Sequence, residues 1–591
     1  MTPGPSAVVR IANCSAFYGD RFRAAREMVE GGPIDVLTGD WLAELTMLIL
    51  ARDRARDAEG GYARTFPAQL EEVMGLCLHR GIRVVANAGG LNPAGCARAV
   101  EKVAAELGLA PRVAHVAGDD LLPRLEELRA AGHDLAHFDT GEPFGERSAV
   151  TANAYLGCWG IARALDEGAD IVITGRMTDA AVVMGPAAWY HRWSRTDWDR
   201  LAGACVAGHV IECGPQATGG NYSFFTEIPA DRPLGYPIAE IAADGSSVIT
   251  KHPGTGGAVS VGTVTAQLLY EIGGPRYANP DVVARFDTIR LGEEGPDRVR
   301  VSGVRGEPAP PTLKVCVNYS GGWRNTATFC LTGLDIEEKA ALIDRVLWAG
   351  VGGRDRFGSV HTELIRTDHA DPGRNEQAVA FYRVTVKDGD RAKLGRAFKR
   401  IPIEMALASY PGFFGPDLTG DAEEFGVYWP ASVPSDVCAA EVHLGGVVIV
   451  VPNTAAGLPG EPVSAEEPSL PAPPAGDTIR VPLGRVVGAR SGDKGGDANV
   501  GLWARSPEAF AWLREFLTVD RLQALFPEAR EHPVDRYPFP NLLAVNVVFR
   551  GLLGEGVAAT PRQDAQAKGL AEYVRARVVD VPRSLLAPIR L

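Results

Sequence analysis

The sequence lacks the features that mark several large protein classes. No apolar stretch approaches the roughly 18 residues that cross a bilayer, and the start, MTPGPSAVVRIANCS, has neither the basic nor the long apolar region of a signal peptide. Nine cysteines are sparse in 591 residues and form no CxxC pair, which argues against a disulfide framework. A net charge of -13 disfavours nucleic acid or an anionic membrane as the main partner. We expect a cytoplasmic protein.

The common catalytic and cofactor motifs are missing as well. The chain contains no HExxH, Gly-x-Ser-x-Gly, EF-hand, GxGxxG or GxxxxGK[ST] motif, and its eleven histidines show no metal-ligand spacing. The sequence therefore identifies no cofactor. Cys14 and Cys213 lie beside glycine-containing polar segments and stay open as catalytic thiols. Asp20, Asp40 and Asp119 follow predicted strands, where their carboxylates could hold Mg²⁺ together with substrate oxygens.

What the first 180 residues do have is a repeated pattern of short apolar runs that end in polar clusters containing glycine. Helix-like segments separate several runs, which predicts the strands of a largely parallel sheet in an α/β fold. In such sheets ligands bind beyond the carboxyl ends of the strands, where these clusters fall. The six runs are Val8–Ile11, Ile34–Leu37, Ile82–Val85, Val113–Val116, Leu135–Phe138 and Ile171–Ile173. The pattern predicts a ligand site without specifying its chemistry.

The length and the shifts in composition predict several domains, because 591 residues exceed what one core supports. We predict an α/β sheet domain over 1–205 and a continuous second α+β lobe over 206–452 that shares its site. Residues 453–477, rich in Pro, Ala and Glu, are typical of a linker. A small α+β domain is predicted over 478–591, in which a strand over 479–487 leads into a polar loop.

Two of the predicted strand ends carry the clearest anion-binding features. The loop Gly89–Gly95 precedes a predicted helix with Asn92 as its N-cap. Its N–H groups suit a phosphate or carboxylate, and a plain strand-to-helix turn is the alternative. After the sixth run, Thr174–Asp179 places Arg176 beside two hydroxyls and a carboxylate, which suits bidentate binding of an anion. The alternative there is a structural pair between Arg176 and Asp179.

Residues 208–223 supply the best candidate for proton transfer. Glu212 follows two apolar residues in a glycine-rich segment, and a general acid or base needs a carboxylate whose pKa is tuned by partial burial. Glu212 comes three residues after His209, but Gly208 and Gly214 argue against a helix that would align the two. The alternative is a carboxylate that only accepts hydrogen bonds from its own loop.

Two further polar segments complete the set of candidates. Lys251 precedes Gly-Thr-Gly-Gly at 254–257, whose N–H groups suit an anion-binding nest, with a hairpin loop as the alternative. Arg490, Asp493 and Lys494 lie in the C-terminal polar loop, where they would complete the main site or hold the interface to it. The catalytic candidates are Glu212, Arg176, Asp179 and Lys251, and the substrate-binding candidates are Asn87, Gly89, Gly90, Asn92, Thr174, Thr178, Gln216, Asn221, Thr255, Gly256, Gly257, Arg490, Asp493 and Lys494.

Several long strings in the chain resemble the acyclic terpene utilisation AtuA family. They are ADIVITGRMTDAA (169–181), GHVIECGPQATGG (208–220), the segment 235–272, GPDRVRVSGVRG (295–306), ARSGDKGGDANVGLWAR (489–505), RYPFPNLLAVN (536–546) and RQDAQAKG (562–569). The resemblance implies a large N-terminal domain fused to a C-terminal ferredoxin-like domain, which is a separate module in some members. It also implies catabolism of terpenoid or branched acyl-CoA compounds, near biotin-dependent acyl-CoA carboxylases. Ala567 stands where the resemblance implies glycine, which argues against a close backbone approach there.

These observations leave three hypotheses about function. The first is an AtuA-like lyase acting on a branched, carboxylated acyl thioester or related acid by hydration, dehydration or carbon–carbon cleavage. In it, Arg176 and Lys251 hold the anionic group and Glu212 moves the proton. The second is a metal-assisted hydrolase of a phosphate ester or amide, and the third is a non-catalytic subunit of an acyl-CoA carboxylase assembly. We expect a small anionic partner, with CoA thioesters among the candidates, and a homo-oligomer that binds neither nucleic acid nor membrane.

Overall fold

Strands and helices alternate through the first part of the chain, and strands predominate after it. The structure, a computed structural model, describes residues 8–229, 231–415, 419–454, 463–465 and 468–586. In chain order the strands are β1 Val9–Asn13, β2 Val36–Gly39, β3 Arg83–Ala86, β4 Val113–Ala117, β5 Ala149–Ala154, β6 Ile171–Thr174, β7 Pro237–Ile241, β8 Ser247–Lys251, β9 Arg276–Ala278, β10 Val283–Arg285, β11 Arg290–Gly295, β12 Arg298–Ser302, β13 Arg305–Glu307, β14 Thr312–Thr332, β15 Ser359–Ile365, β16 Val379–Asp388, β17 Glu423–Pro434, β18 Ala440–Leu444, β19 Val447–Val451, β20 Thr478–Pro482, β21 Val487–Lys494, β22 Asp497–Ala504, β23 Val534–Phe539, β24 Ala544–Phe549 and β25 Val578–Pro582. The α-helices are α1 Ala24–Gly31, α2 Glu44–Arg56, α3 Thr65–Arg80, α4 Pro93–Glu106, α5 Leu125–Ala130, α6 Trp159–Asp166, α7 Ala181–His191, α8 Trp198–Ile211, α9 Val261–Leu268, α10 Ile336–Val351, α11 Arg391–Leu394, α12 Arg396–Glu404, α13 Pro507–Phe516, α14 Val519–Leu525 and α15 Leu570–Ala576.

The largest sheet has eleven strands in the order β11-β12-β8-β7-β1-β2-β3-β6-β4-β18-β19. Its five central strands, β1, β2, β3, β6 and β4, pair in parallel, and the strands on either side pair antiparallel. Their carboxyl ends therefore lie along one edge of the sheet. The predicted α/β class is confirmed, and five of the six predicted runs contribute to these parallel strands. The sixth prediction is wrong, because Leu135–Phe138 forms no strand.

Helices on the faces of this sheet bury apolar side chains at helical spacing. On α3 the buried residues include Phe66, Leu70, Val73, Met74 and Cys77, all within one core cluster that also holds strand residues of β2 and β3. Each fully buried side chain of this kind contributes about 1.5–3 kcal/mol relative to exposure. The predicted start of α4 is also confirmed, since the side chain of Asn92 accepts a hydrogen bond from the N–H of Gly95.

The C-terminal region has its own sheet and its own core. Strands β21-β22-β24-β23 form an antiparallel sheet covered by α13, α14 and α15, an arrangement that agrees with the small α+β domain expected there. One expectation is corrected here. The polar segment after Val487 is not a loop, because Val487–Lys494 pairs with Asp497–Ala504 as a hairpin that turns at Gly495.

By compactness the chain divides into two units. The first comprises Met1–Asn318, Tyr428–Val557 and Asp564–Leu591, and the second comprises Tyr319–Val427 and Ala558–Gln563. In the second unit, β16 pairs antiparallel with β15 and with residues 323–332 of β14, while α10 and α12 contribute to its core. The domain boundaries proposed from sequence stay predictions, and the predicted linker 453–477 lies in part outside the described residues.

Candidate active site

The end of β6 places a buried arginine at the carboxyl edge of the parallel strands. The side chain of Arg176 is 2% exposed, and its backbone N–H donates to Asp119 Oδ2 over 2.9 Å. Gly175 makes this approach feasible, because a Cβ atom there would lie 2.3 Å from Asp119 Oδ1. The guanidinium donates to Asp179 Oδ1 (3.0 Å) and to the carbonyl of Leu42 (3.2 Å). The predicted alternative of an Arg176–Asp179 pair is therefore present in the structure.

Within the first compact unit, a cavity of about 180 Å³ opens at this edge of the sheet. Six of the predicted residues line it, namely Arg176, Thr178, Asp179, Glu212, Asp493 and Lys494. The other lining residues are Glu44, Tyr155, His209, Glu271, Tyr277, Ala278, Asn279, Lys314 and Gly495. Strand ends, a helix end and the C-terminal hairpin thus contribute to one cavity.

Glu212 and His209 share one helical turn, which corrects the expectation that glycine excludes a helix here. Helix α8 continues through Gly208, where a Cβ atom would come within 2.9 Å of Ala180, so the glycine permits close packing. Glu212 caps the helix, and its Oε1 lies 3.5 Å from Nδ1 of His209. His209 Nε2 is 3.0 Å from the carbonyl of Gln267. Because a carbonyl only accepts, Nε2 carries the hydrogen and Nδ1 presents its lone pair to Glu212.

Burial sets the protonation of this pair. Burial raises the pKa of Glu212 well above its usual range, and the nearby charges of Asp179 and Glu271 raise it further. Burial also lowers the pKa of His209 to about 4. The raised pKa of Glu212 favours its protonated form, and the imidazole of His209 is uncharged at neutral pH. The pair is a proton donor without net charge.

A second carboxyl in the cavity, Glu44, is held in the opposite state. Burial disfavours its charged form, but the positive charges of Lys314 and Arg176 and a 2.6 Å hydrogen bond from the Tyr155 hydroxyl together lower its pKa to about 2. Lys314 Nζ lies 3.7 Å from Glu44 Oε1 and 4.9 Å from the centre of the Tyr155 ring. Arg176 lies over the same ring at 4.3 Å. One side of the cavity therefore holds two cations around an ionised carboxylate.

The C-terminal hairpin closes the cavity with Asp493, Lys494 and Gly495. Lys568 Nζ lies 3.0 Å from Glu271 Oε1 and 3.5 Å from Asp493 Oδ1, and thus bridges the two carboxylates. Burial and the charge of Glu271 raise the pKa of Asp493 to about 7 despite this lysine. The hairpin brings a carboxyl that titrates near neutral pH into the cavity.

The C-terminal strands also fix the segment that carries Glu271. This residue has a left-handed backbone, with φ of 56°, and its N–H donates to Asn499 Oδ1 over 2.8 Å. Asn499 and Asn546 donate in turn to the carbonyls of Leu269 and Gly273. A residue with a left-handed backbone interrupts the regular hydrogen bonding of a helix or strand. Side-chain amides of β22 and β24 supply the missing hydrogen-bond partners for the backbone of this segment.

Other predicted residues support the cavity or lie outside it. Asn87 accepts a hydrogen bond from the N–H of Trp41 and donates to Asp40. Asn92 is used as the cap of α4 and donates to two backbone carbonyls. The N–H of Gly90 donates to the carbonyl of Asn87, and the N–H of Asn92 donates to the carbonyl of Gly89, as in a strand-to-helix turn. Neither the loop Gly89–Gly95 nor Thr174, at the end of β6, is among the cavity-lining residues.

The segment around Lys251 does not form the predicted nest. Lys251 Nζ lies 3.0 Å from Asp297 Oδ2 and 3.0 Å from the carbonyl of Thr255. The N–H groups of Thr255, Gly256 and Gly257 donate to the carbonyls of His252, Pro233 and Pro229 respectively. Since their hydrogen bonds are used within the protein, these three N–H groups do not cradle an anion in this arrangement.

The remaining candidates have structural contacts. Arg490 donates to Gln216 Oε1 and lies over the Tyr270 ring at 4.3 Å, so it holds the C-terminal sheet against the segment before Glu271. Asn221 is exposed and has a left-handed backbone with φ of 57°. Ala567, the predicted departure from glycine, is left-handed as well, with φ of 54°. Glycine is the residue that adopts this conformation most easily, which is a physical reason for a glycine at that position.

The predicted metal ligands and thiols are engaged in other ways. Asp20 accepts from two backbone N–H groups, Asp40 from Leu42 N–H and Asn87, and Asp119 from Arg176 N–H and Asn153. Among the described residues, no three His, Cys, Asp or Glu side chains are arranged to hold a metal ion. Burial raises the pKa of the Cys14 and Cys213 thiols, which keeps both protonated and weakly nucleophilic.

Comparison with known proteins identifies the family. The model described as "Acyclic terpene utilisation family protein AtuA" matches residues 9–444, and the model described as "AtuA ferredoxin-like domain" matches residues 481–580. The chain belongs to the AtuA family. Membership supports a role related to acyclic terpene utilisation. No curated protein matches this AtuA chain, and within its described residues no helix is long and apolar enough to cross a membrane.

Sequence reasoning missed Glu44, Tyr155, Glu271 and Lys314 in this AtuA chain. Glu44 had a usable signal, because it begins the helix after the second strand and so lies at the same sheet edge as the predicted site. Lys314 had none, and Glu271 had only its place near the end of the family-like segment 235–272, since both are brought to the cavity by distant contacts. Tyr155 follows the unpredicted strand β5 directly, so missing that strand also hid the residue.

Proposed function

We propose that this AtuA-family protein is a lyase of terpenoid or branched-chain acyl metabolism, adding or removing water beside a carboxylate or thioester carbonyl. The neutral pair of Glu212 and His209 carries this proposal. A protonated, buried carboxyl with Oε2 unpaired among the described residues is poised to donate a proton into the cavity. Arg176 and Lys314 line the same cavity and supply the positive charge that stabilises a developing enolate.

In the dehydration direction the groups divide the work as follows. The leaving hydroxyl takes the proton of Glu212 as its C–O bond breaks, and it departs as water. The C–H proton next to the carbonyl passes to Asp179, and its electron pair forms the new C=C bond. Arg176 donates to Asp179 and so fixes the direction of this carboxylate. The substrate loses one proton and one hydroxide, so the balance closes without an added oxidant or reductant.

The test is incubation of the purified protein with unsaturated branched acyl-CoA compounds, followed by mass spectrometry for the gain of one water molecule. Glu212→Gln keeps the shape of the side chain but removes the acid, and we expect turnover to fall about 10²–10⁴-fold. Glu307→Gln is the matched control, because Glu307 is a partly buried carboxylate paired with Arg285 and Arg276 and does not line the cavity. Full turnover by Glu212→Gln would overturn this assignment of the acid.

A further inference from the structure

The size of the cavity limits what it can hold. Its volume of about 180 Å³ favours a small ligand. Pockets for larger organic ligands usually measure about 300–1,000 Å³. A short acid would be enclosed by this cavity, whereas part of the chain of an acyclic terpenoid acid of ten or more carbons would extend beyond it.

The lining is polar almost throughout. Of the residues that line the cavity, only Ala278 and Gly495 lack a polar side-chain group, and no Leu, Ile, Val, Met or Phe is among them. An isoprenoid chain placed here would desolvate charged and hydroxyl groups without replacing their hydrogen bonds, which is unfavourable for each group left unpaired. The walls therefore match a ligand rich in oxygen.

Four lining residues present a buried polar atom that has no hydrogen-bond partner within the described part of the chain. They are Arg176 Nε, Thr178 Oγ1, His209 Nδ1 and Glu212 Oε2. Arg176 and His209 are each 2% exposed, and Glu212 is 8% exposed. Buried polar groups in folded proteins nearly always have a partner. Arg176 Nε donates, His209 Nδ1 accepts and the Thr178 hydroxyl does both, so these groups suit a ligand with hydroxyl and carbonyl oxygens.

The charges around the cavity are nearly balanced. Arg176 pairs with Asp179, Lys314 lies beside Glu44, and Lys568 bridges Glu271 and Asp493. Lys494 donates to the carbonyl of Glu271 and adds one further positive charge. With Glu212 neutral, four cations face four carboxyls. A ligand with one carboxylate would add one uncompensated negative charge to such a site, whereas a phosphate or dicarboxylate would add two, which is less favourable.

We infer that the substrate is a short hydroxy- or oxo-acid with a single carboxyl, free or as a thioester. A terpenoid acid with its chain intact does not fit this description. The inference rests on the proposed function. If the acyl group arrives as a thioester, the carrier lies outside the cavity. The reaction that supplies this substrate must already have shortened the apolar chain by carbon–carbon cleavage. The protein then acts late in the breakdown of its parent compound.

Binding measurements test this inference independently of the proposed reaction, because they do not require turnover. Isothermal titration of the full-length protein would compare 3-hydroxybutyrate and 3-hydroxy-3-methylbutyrate with citronellate, an acyclic terpenoid acid, and with the dicarboxylate 3-hydroxyglutarate. We expect the two short acids to bind at least about tenfold more tightly than either of the others. The CoA thioester of 3-hydroxybutyrate forms a further arm, which distinguishes a free acid from a carrier-bound one.

The substitution Thr178→Val tests whether the short acids bind in the cavity. It removes a hydroxyl that has no partner among the described residues, so the fold is expected to persist, and affinity for the short acids should fall about two- to tenfold. Thr332→Val is the control, because Thr332 also has a buried, unpaired hydroxyl but does not line the cavity. Citronellate binding as tightly as the short acids would overturn the inference, and so would unchanged affinity in Thr178→Val. Tight binding of short acids without turnover of their thioesters would leave the inference standing and count against the lyase.

Discussion

The Arg176 loop (residues 174–179) and the Lys251 turn (residues 251–257) have similar ingredients and different outcomes. Each follows a strand of the large sheet, contains glycine and threonine, and carries a buried cation. In the Lys251 turn the cation and three consecutive N–H groups are bonded within the protein. In the Arg176 loop, Arg176 Nε and the hydroxyl of Thr178 have no partner among the described residues and face a cavity.

The difference between the two segments lies in how their hydrogen bonds are used. A buried donor that already has a partner stabilises the fold, and a ligand could reach it only by displacing that partner. An unpaired donor at a cavity is available to a ligand. Composition and glycine spacing do not distinguish a paired donor from an unpaired one. Whether a donor is paired depends on which carbonyl or carboxylate, from a distant part of the chain, lies within hydrogen-bond distance of it.

Removing the cation from each segment tests this difference most directly. Arg176→Met should lower turnover by at least about 10²-fold, since it removes preorganised positive charge from the cavity. Lys251→Met should leave the turnover of the folded protein within about threefold. It should lower the free energy of unfolding by about 1–3 kcal/mol, because Asp297 loses its partner. Steady-state kinetics and urea denaturation of both variants give the result, and an equal loss of turnover in the two would refute the distinction.

A glycine in the Lys251 turn offers a second test. Gly257 has φ of +84°, and a Cβ atom there would lie 2.3 Å from the carbonyl oxygen of Thr218. Gly257→Ala should therefore lower the free energy of unfolding by about 2–4 kcal/mol through backbone strain and overpacking. Activity per folded molecule should be unchanged. A stable variant that lost activity would show instead that the turn belongs to the site.

A third test concerns Asp119, which supports the Arg176 loop. Burial raises the pKa of Asp119 to about 7 in the folded protein, against about 3.9 for an exposed aspartate. Its contribution to stability is therefore complete below about pH 4 and is lost as the pH rises through 7, because the unfolded chain releases this proton more easily.

Asp119→Asn should reduce that loss, since the amide does not titrate. Denaturation of the wild type and the variant at several pH values between 4 and 8 measures the two slopes. We expect a shallower fall of stability with pH in the variant, by an amount on the order of a few kcal/mol across the range. Parallel profiles would mean that Asp119 keeps an ordinary pKa in the folded protein.

The sequence was sufficient for the features that depend on neighbouring residues. Five apolar runs predicted parallel strands, and Asn92 predicted the start of α4, because strand periodicity and capping are local properties. Gly208 misled the prediction for a different reason. A glycine disfavours a helix by about 1 kcal/mol, yet here the close contact with Ala180 requires it, and tertiary packing outweighs the local preference.

The cavity itself was only partly predictable. Arg176 and Asp179 follow a predicted strand end, so their place at the sheet edge was accessible from sequence. Glu271 and Lys314 reach the cavity through partners far along the chain, such as Asn499 for the backbone of Glu271. Pairings of this kind leave no periodic pattern, and residue spacing alone does not indicate them.

The position of Lys568 has a consequence for how the protein matures. This residue bridges Glu271 and Asp493, and it follows Glu271 by 297 positions along the sequence. During synthesis the N-terminal sheet can form long before Lys568 leaves the ribosome, but its carboxyl cluster then lacks a cation. The carboxyl cluster therefore acquires this cation only after Lys568 has been synthesised, and the N-terminal sheet alone does not complete it.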